Sequence, residues 1–118
     1  MSLPYNTNLN TNMKSNKTKT DRLKLVWAKT KGVCAHCGNP SSGKGRTVDH
    51  YVPRSYDGGY DIRNLMPLCR KCNTARANEP IDPFEFYKYA PEEYILQCIE
   101  YEDEHKSKRR NYNGDVFL

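Results

Sequence analysis

Apolar residues recur at helical spacing in the first third of the chain. Leu23, Val26 and Trp27 fall on one face if this segment is helical. We therefore predict a helix over residues 22–31, capped by Asp21 and ended by the glycine that follows. The lysines of this segment would lie on the opposite, exposed face: Lys24, Lys29 and Lys31.

The C-terminal third shows the same periodicity. Asp82-Pro83 is a typical helix start, and a longer helix begins at Pro91. The C-terminal helices are therefore expected to cover residues 83–110. Apolar residues at helical spacing predict the packed positions of this region: Phe84, Phe86, Tyr87, Tyr94, Ile95, Cys98 and Ile99. Cys98 would then be a packed thiol rather than a metal ligand or a nucleophile.

Between these helical segments the pattern is that of strands. Residues 47–52 are β-branched and alternating, which predicts a strand that Pro53 ends. Residues 65–68 read as a short apolar strand, and residues 72–78 should open a helix. The fold class that follows is α+β, with a small core of two strands and a helix, and with further helices on either side.

The first residues differ in composition from the rest. Residues 1–20 are rich in Asn, Thr, Ser and Lys and lack periodicity, so we expect a disordered, polar and basic tail. Residues 21–118 are expected to form one domain. The 118-residue chain has a formal net charge of +5 and a pI of about 9.0. This balance favours a polyanionic partner, of which nucleic acid is the commonest.

The material for a hydrophobic core is small. Hydrophobic residues make up 36% of the chain, and the mean hydropathy is -0.94. A small domain of this composition usually needs disulfides or a structural metal. The N-terminus lacks the apolar run of a secretory signal, and no stretch approaches the roughly 20 apolar residues that span a bilayer. We therefore expect an intracellular, cytoplasmic protein with reduced thiols and no membrane partner.

Four of the five cysteines occur in pairs with metal-ligand spacing. Cys34 and Cys37 form one Cys-x-x-Cys pair, and Cys69 and Cys72 form the other. Zinc binds four thiolates in a tetrahedron, and one tight turn supplies two of them. A complete thiolate shell leaves no open position, so this zinc would be structural and would stabilise the fold. His36, inside the first pair, would be a surface residue. An iron–sulfur cluster and a redox dithiol are the alternatives for these cysteines.

A polar constellation lies between and beside the cysteine pairs: Asp49-His50, Asn64 and Asn73. The order V-D-H-x-x-P, then Gly-Gly, then N-L-x-x-L-C-x-x-C-N resembles the HNH endonuclease family. Within that family it is similar to the zinc-clipped subgroup, which carries two Cys-x-x-Cys pairs. The resemblance covers residues 33–78. Many members have His at the last position of the motif, so Asn73 makes this chain an H-N-N variant.

The resemblance implies a ββα-metal core, the His-Me finger, over residues 33–79. In this fold a hairpin and a helix hold one divalent cation between them. By analogy, His50 is the general base. Asp49 and Asn73 would bind the catalytic cation, and Asn64 would brace the loop and orient the base. The function implied is hydrolysis of DNA phosphodiester bonds, with RNA as the other nucleic acid to consider.

The chemistry of these residue types agrees with that role. A neutral imidazole, with an ordinary pKa of about 6.5, can take a proton from water at physiological pH. Oxygen ligands favour Mg²⁺ or Mn²⁺, which can neutralise the charge that develops on a phosphate and on the leaving oxygen. One such site cuts one strand at a time. Double-strand cleavage would therefore need a dimer, a partner or two encounters.

Basic residues near the proposed site would contact the nucleic-acid backbone: Arg46, Arg54, Arg70, Lys71 and Arg76. Contacts of this kind predict salt-sensitive binding with little sequence selectivity. We expect a monomer or a weak dimer, and a protein partner that selects the target. Phage and mobile-element nucleases use modules of this type. The alternative functions are a non-catalytic zinc module that binds nucleic acid or protein, and a thiol redox protein.

Overall fold

The computed structural model describes residues 18–108. Its strands are β1 (Arg46–His50) and β2 (Leu65–Cys69), and its α-helices are α1 (Lys19–Ala28), α2 (Arg70–Arg76), α3 (Pro83–Phe86) and α4 (Glu92–Lys108). Short 3-10 turns lie at Gly43–Gly45, Arg54–Tyr56 and Ile62–Asn64. The predicted α+β class with a ββα core is confirmed, since β1, β2 and α2 follow one another in that order. None of the helices within residues 18–108 has the length and apolar content needed to cross a bilayer.

Helix α1 begins earlier than the sequence pattern predicted. The Thr18 hydroxyl accepts a hydrogen bond from the Asp21 amide at 3.0 Å and so caps the helix. The helix therefore covers Lys19–Ala28 instead of residues 22–31. Asp21, predicted as the cap, lies inside the first turn, where its negative charge suits the helix N-terminus.

Parts of two predicted segments lie outside the described residues. The tail was predicted over residues 1–20, and residues 1–17 of it lie outside the described part of the chain. Thr18 and the two residues after it instead cap and begin α1, so they do not belong to a tail. The predicted end of the last helix, at residue 110, also lies beyond the final described residue, Lys108.

The strands pair as an antiparallel hairpin. Arg46 lies opposite Cys69, and His50 lies opposite Leu65. Both predicted strands are present, and α2 begins at Arg70 rather than at residue 72. The pairing places His50 at the end of the hairpin where the connecting loop begins. The opposite end carries Cys69 and leads directly into α2.

The core lies where α1 packs against the two strands and α4 packs against the turn that leads into β2. Its largest fully buried side chains are Trp27, Tyr87, Leu65, Met66 and Leu68. Trp27 is 1% exposed, and its indole nitrogen donates a hydrogen bond to the Thr47 carbonyl at 2.8 Å. The predicted apolar face of α1 is therefore the packed one at Val26 and Trp27, and this bond ties α1 to β1.

The packed positions of the C-terminal helices are mostly as predicted. Ile95 and Cys98 are buried, and Tyr87 is fully buried. Phe84 is 49% exposed and does not join the core, contrary to the prediction. The reason is that α3 is a single turn of four residues, which can direct only part of its surface inward.

Lys29 is buried, although the helical pattern placed it on the exposed face. Its ammonium donates hydrogen bonds to the Ile62 carbonyl at 2.7 Å and to the Leu65 carbonyl at 2.6 Å. It also lies 5.3 Å from the centroid of the Tyr94 ring. Burial lowers the pKa of this ammonium to about 8. Lys29 therefore ties the end of α1 to the chain that enters β2.

Replacement of Lys29 should destabilise the protein. Lys29→Met should lower the free energy of unfolding by about 2 kcal/mol, because two carbonyls lose their hydrogen-bond donor away from water. Urea denaturation with zinc present measures this change. Lys24→Met is the matched control, since Lys24 is exposed on the same helix, and it should change stability by less than about 0.5 kcal/mol. Equal losses in the two variants would show that the Lys29 hydrogen bonds do not stabilise the fold.

Candidate metal centre and nuclease site

The four paired cysteines converge on one point. Their ligand atoms all lie within 4.8 Å of one another. A zinc ion with Zn–S bonds of about 2.3 Å would hold its sulfur ligands about 3.8 Å apart, so this cluster can hold zinc. Within residues 18–108, it is the only group of three or more His, Cys, Asp or Glu side chains close enough to hold a metal ion: Cys34, Cys37, Cys69 and Cys72.

The first cysteine pair lies in a tight turn that is fastened to the hairpin. The Gly38 amide donates to the Cys34 carbonyl at 2.9 Å, and the Ala35 amide donates to the Pro67 carbonyl at 2.8 Å. His36 is half-buried rather than a plain surface residue. Its ring stacks on Phe86 with centroids 4.1 Å apart, and its Nδ1 pairs with the Phe86 carbonyl at 2.8 Å. The turn therefore also holds α3 in place.

A change at one clustered cysteine should remove the metal. Cys69→Ser should lower zinc content well below one ion per chain and unfold the protein or sharply lower its melting temperature, because zinc binding contributes to folding. Elemental analysis and thermal melting measure the two effects. Cys98→Ser is the matched control: Cys98 is buried outside the cluster, so this variant should keep its zinc. An unchanged metal content in Cys69→Ser would rule out the four-cysteine site.

Asp49 is buried where β1 meets α2 and α3. Its Oδ2 accepts hydrogen bonds from the Arg76 guanidinium and from the Tyr87 hydroxyl, both at 2.6 Å. Burial raises the pKa of the Asp49 carboxyl, and the charge of Arg76 acts against that rise. Burial also raises the pKa of Tyr87 well above its ordinary value, so the hydroxyl keeps its proton and remains a donor. Asp49 is therefore held from two sides, with Oδ1 outside these bonds.

Asn73 lies on the same side of β1 as Asp49. Its Nδ2 donates to the Thr47 hydroxyl at 2.8 Å and to the Val48 carbonyl at 3.3 Å. Side chains two residues apart on a strand point to the same face, so those of Thr47 and Asp49 both face α2. Arg76, one helical turn after Asn73, reaches Asp49. The structure thus brings Asp49 and Asn73 into one layer between β1 and α2.

His50 contacts a different set of residues, on the side of the connecting loop. Its ring meets the Tyr60 ring edge-on, with centroids 4.8 Å apart and an interplanar angle of 81°. Its Nε2 is buried and has no hydrogen-bond partner among residues 18–108. Burial, followed by the charges of Arg54 and Arg22, lowers the pKa of His50 to about 4. The imidazole is therefore neutral at pH 7, which is the state that can accept a proton.

Asn64 is fully buried and holds the loop that follows His50. Its Oδ1 accepts from the Val52 amide at 2.8 Å, and its Nδ2 donates to the carbonyls of Val52 at 3.2 Å and Gly59 at 3.1 Å. Gly58 lies close to the backbone of Val52 in this loop. A Cβ atom at residue 58 would lie only 1.7 Å from the Val52 carbonyl oxygen. The loop therefore closes tightly at this point only because residue 58 is glycine.

The residues predicted to contact nucleic acid differ in exposure. Three of them are exposed: Arg54, Arg70 and Lys71. Arg46 is half-buried, and its guanidinium lies 4.9 Å from the centroid of the Trp27 ring. The Arg76 side chain is 1% exposed and paired with Asp49, which does not agree with the predicted phosphate contact. In this structure Arg76 instead balances the charge of Asp49.

Helix α4 braces the connecting loop through contacts that sequence reasoning missed. Several side chains in the middle of this helix bind the loop. The contacts join Tyr101 to the Gly59 amide at 3.0 Å, Glu102 to the Tyr51 hydroxyl at 2.8 Å, and Glu104 to Arg63 at 2.9 Å. Arg63 is also paired with Asp61. The loop beside His50 is thus held both by Asn64 and by a helix far along the chain.

Comparison with known proteins agrees with this arrangement. Residues 34–79 match the HNH endonuclease family. We call residues 34–79 the HNH module, after the family that they resemble. Over 48 residues it is 40% identical to the CRISPR-associated endonuclease Cas9 of Corynebacterium diphtheriae, a match that covers 40% of this chain and 4% of Cas9. The chain thus spans only a small part of that relative. The resemblance to the zinc-clipped HNH subgroup is confirmed, and it supports a nuclease function in general terms.

The HNH module does not contain every residue that shapes the site. Arg22 and Lys29 precede residues 34–79, and Tyr87 and α4 follow them. Tyr87 reaches Asp49 across 38 residues of sequence, so no spacing rule connects the two. Lys29 did leave a signal. It lies three residues after the buried Val26 and so shares the packed face of α1.

Proposed function

We propose that this chain is a metal-dependent HNH endonuclease that hydrolyses DNA phosphodiester bonds. The observation that carries the proposal is the buried Nε2 of His50, which has no hydrogen-bond partner among residues 18–108. His50 directly follows Asp49 on β1. The family match at residues 34–79 supports a nuclease in general terms. We take the nuclease domain to begin at Thr18, the cap of α1, rather than at residue 21. In this domain α1 and the C-terminal helices support the module.

The side chains between β1 and α2 suit a hard divalent cation. Asp49 Oδ1 and Asn73 Oδ1 are oxygen donors outside the hydrogen bonds that fix the two side chains. One carboxylate and one carboxamide, with water completing the shell, favour Mg²⁺ or Mn²⁺. The bound cation would neutralise the charge of the scissile phosphate and of the leaving oxygen. The guanidinium of Arg76 at Oδ2 competes for the Asp49 charge, so we expect the cation to bind weakly without substrate.

The proposed reaction uses His50 as the general base. Its Nε2 has no hydrogen-bond partner in the part of the chain that the structure describes, and its lowered pKa keeps the ring neutral at physiological pH. A neutral imidazole there can take a proton from water as the water attacks phosphorus. Asn64 acts through the loop backbone, because it holds the Val52 peptide two residues after His50. It is therefore a positioning residue in this proposal.

Substrate contacts are proposed for the exposed cationic side chains near the module, which are Arg54, Arg70 and Lys71. Contacts to phosphates give affinity without reading bases, so a protein partner would select the target. We propose a monomer or weak dimer that acts inside a cell, with a phage or mobile element as a suitable source. Binding of DNA without cleavage is the outcome that would favour a non-catalytic zinc module.

Removal of the imidazole should abolish cleavage. His50→Ala should lower the rate of plasmid nicking with Mg²⁺ or Mn²⁺ by about 10²–10⁴-fold, because proton transfer by a positioned base contributes that much. The measurement is conversion of supercoiled plasmid to its nicked form. His36→Gln is the control, since His36 contacts Phe86 away from the proposed base, and it should keep the wild-type rate. Binding by wild type without nicking under any of several divalent metals would contradict the enzyme.

Removal of the carboxamide should weaken activation by the metal. Asn73→Ala should raise the Mg²⁺ concentration needed for half-maximal nicking by about tenfold or more, the size expected for groups that hold or orient a metal ligand. The melting temperature should change little, because Asn73 is only half-buried. Thr74→Ala, at an exposed neighbouring position, should leave both quantities unchanged. A collapse of the melting temperature with normal metal dependence would make Asn73 a structural tie between α2 and β1.

A further inference from the structure

Two arginines surround the tyrosine that packs against His50. The Arg22 guanidinium carbon lies 4.4 Å from the centroid of the Tyr60 ring, and that of Arg54 lies 5.3 Å from it. Arg54 Nη1 also donates a hydrogen bond to the Tyr60 hydroxyl at 3.0 Å. Tyr60 is 43% exposed, and its ring packs edge-on against the ring of His50. The four side chains form one cluster, which draws on α1, β1 and the connecting loop.

Within the described part of the chain, neither Arg22 nor Arg54 forms an ion pair. Arg63 and Arg76, by contrast, are both paired with carboxylates. Two cations beside a neutral imidazole repel each other, and an anion bound between or beside them would offset that repulsion. Until one binds, the face of an aromatic ring is a weaker substitute.

We infer that Arg22 and Arg54 bind a phosphate of the nucleic-acid backbone, and that Tyr60 holds this pair and covers His50 until the phosphate displaces it. The inference rests on the proposed function, because the phosphate belongs to the substrate. It adds a contact from α1, which lies outside the matched module. It also gives Tyr60 a role as the cover of the proposed base.

The chemistry favours a phosphate as the ligand of the pair. A guanidinium presents a planar fork of donors that matches phosphate oxygens, and such charge-assisted bonds are stronger than contacts to a ring. Once Arg54 turns to a phosphate, the Tyr60 hydroxyl loses its hydrogen bond. An exposed side chain can then rotate away without movement of the backbone, which Tyr101 holds at Gly59. Rotation would uncover the buried Nε2 of His50.

Binding of a labelled DNA duplex tests the pair without any cleavage. The full chain, loaded with zinc and given no Mg²⁺ or Mn²⁺, is titrated in a fluorescence anisotropy assay over a series of salt concentrations. Arg22→Gln should raise Kd about tenfold and reduce the slope of log K against log salt by about one, as expected for one lost phosphate contact. Arg22→Lys should keep most of the slope, because it keeps the charge.

Lys24→Gln is the matched control for the binding experiment. It removes the same charge from an exposed position of α1, two residues away and therefore on a different face. Its effect on Kd and on the slope should be clearly smaller than that of Arg22→Gln. Equal effects of the two substitutions would overturn the inference, since Arg22 would then contribute only general positive charge.

Chemical labelling of histidines tests the cover. Diethylpyrocarbonate modification, mapped by mass spectrometry, reports the exposure of His50, with His36 and His105 as internal references. Tyr60→Ala should speed His50 labelling severalfold. Inorganic phosphate should speed it in wild type but not in Arg22→Gln, relative to chloride at equal ionic strength. Equal labelling in phosphate and chloride, or no effect of Tyr60→Ala, would overturn the inference.

The two experiments separate this inference from the proposed function. Neither readout requires hydrolysis of DNA. If both tests give the expected results but the protein never nicks a plasmid, the phosphate-binding role of the arginine pair is supported and the nuclease proposal is contradicted. If the protein nicks plasmid and His50→Ala abolishes this activity, but both tests fail, the nuclease proposal is supported and the role of the arginine pair is contradicted.

Discussion

The rest of the site depends on the buried ion pair between Asp49 and Arg76. The joined atoms lie 2.6 Å apart, and the side chains are 6% and 1% exposed. Loss of either partner would leave a charge that water cannot reach, which typically costs about 3–5 kcal/mol. The same guanidinium also donates to the carbonyls of His50 and Tyr51. One side chain of α2 therefore fixes the end of β1, where the proposed base and the proposed metal ligand are neighbours.

Much of the support for this arrangement comes from outside residues 34–79. Trp27 and Lys29 attach α1 to the hairpin, Tyr87 contributes the second hydrogen bond to Asp49, and α4 braces the loop. The hydrophobic core combines side chains of the module, such as Leu65 and Leu68, with side chains from outside it, such as Trp27 and Tyr87. The flanking helices complete this core. They also enclose the buried charge, so its environment belongs to the whole chain rather than to the motif.

Local patterns predicted the scaffold because its signals are local. Cysteine spacing, strand alternation and helical periodicity each act within a few residues, and the hairpin, α2 and the four-thiol cluster followed from them. The predictions were wrong for two charged residues that were expected to be accessible. Lys29 and Arg76 are both buried. Their partners lie far away in sequence: Asp49 and Arg76 are 27 positions apart. Such contacts arise from tertiary packing, which no periodicity encodes.

Trp27 is the only tryptophan of the chain. Its indole is buried, bonded to the β1 backbone and covered by the Arg46 guanidinium. Fluorescence excited selectively in this ring therefore reports on the contact between α1 and the hairpin, and on no other contact in the protein. Its emission should shift to longer wavelength when α1 separates from the hairpin and the indole becomes exposed to water. The protein thus contains its own optical probe for separating detachment of the first helix from loss of the metal.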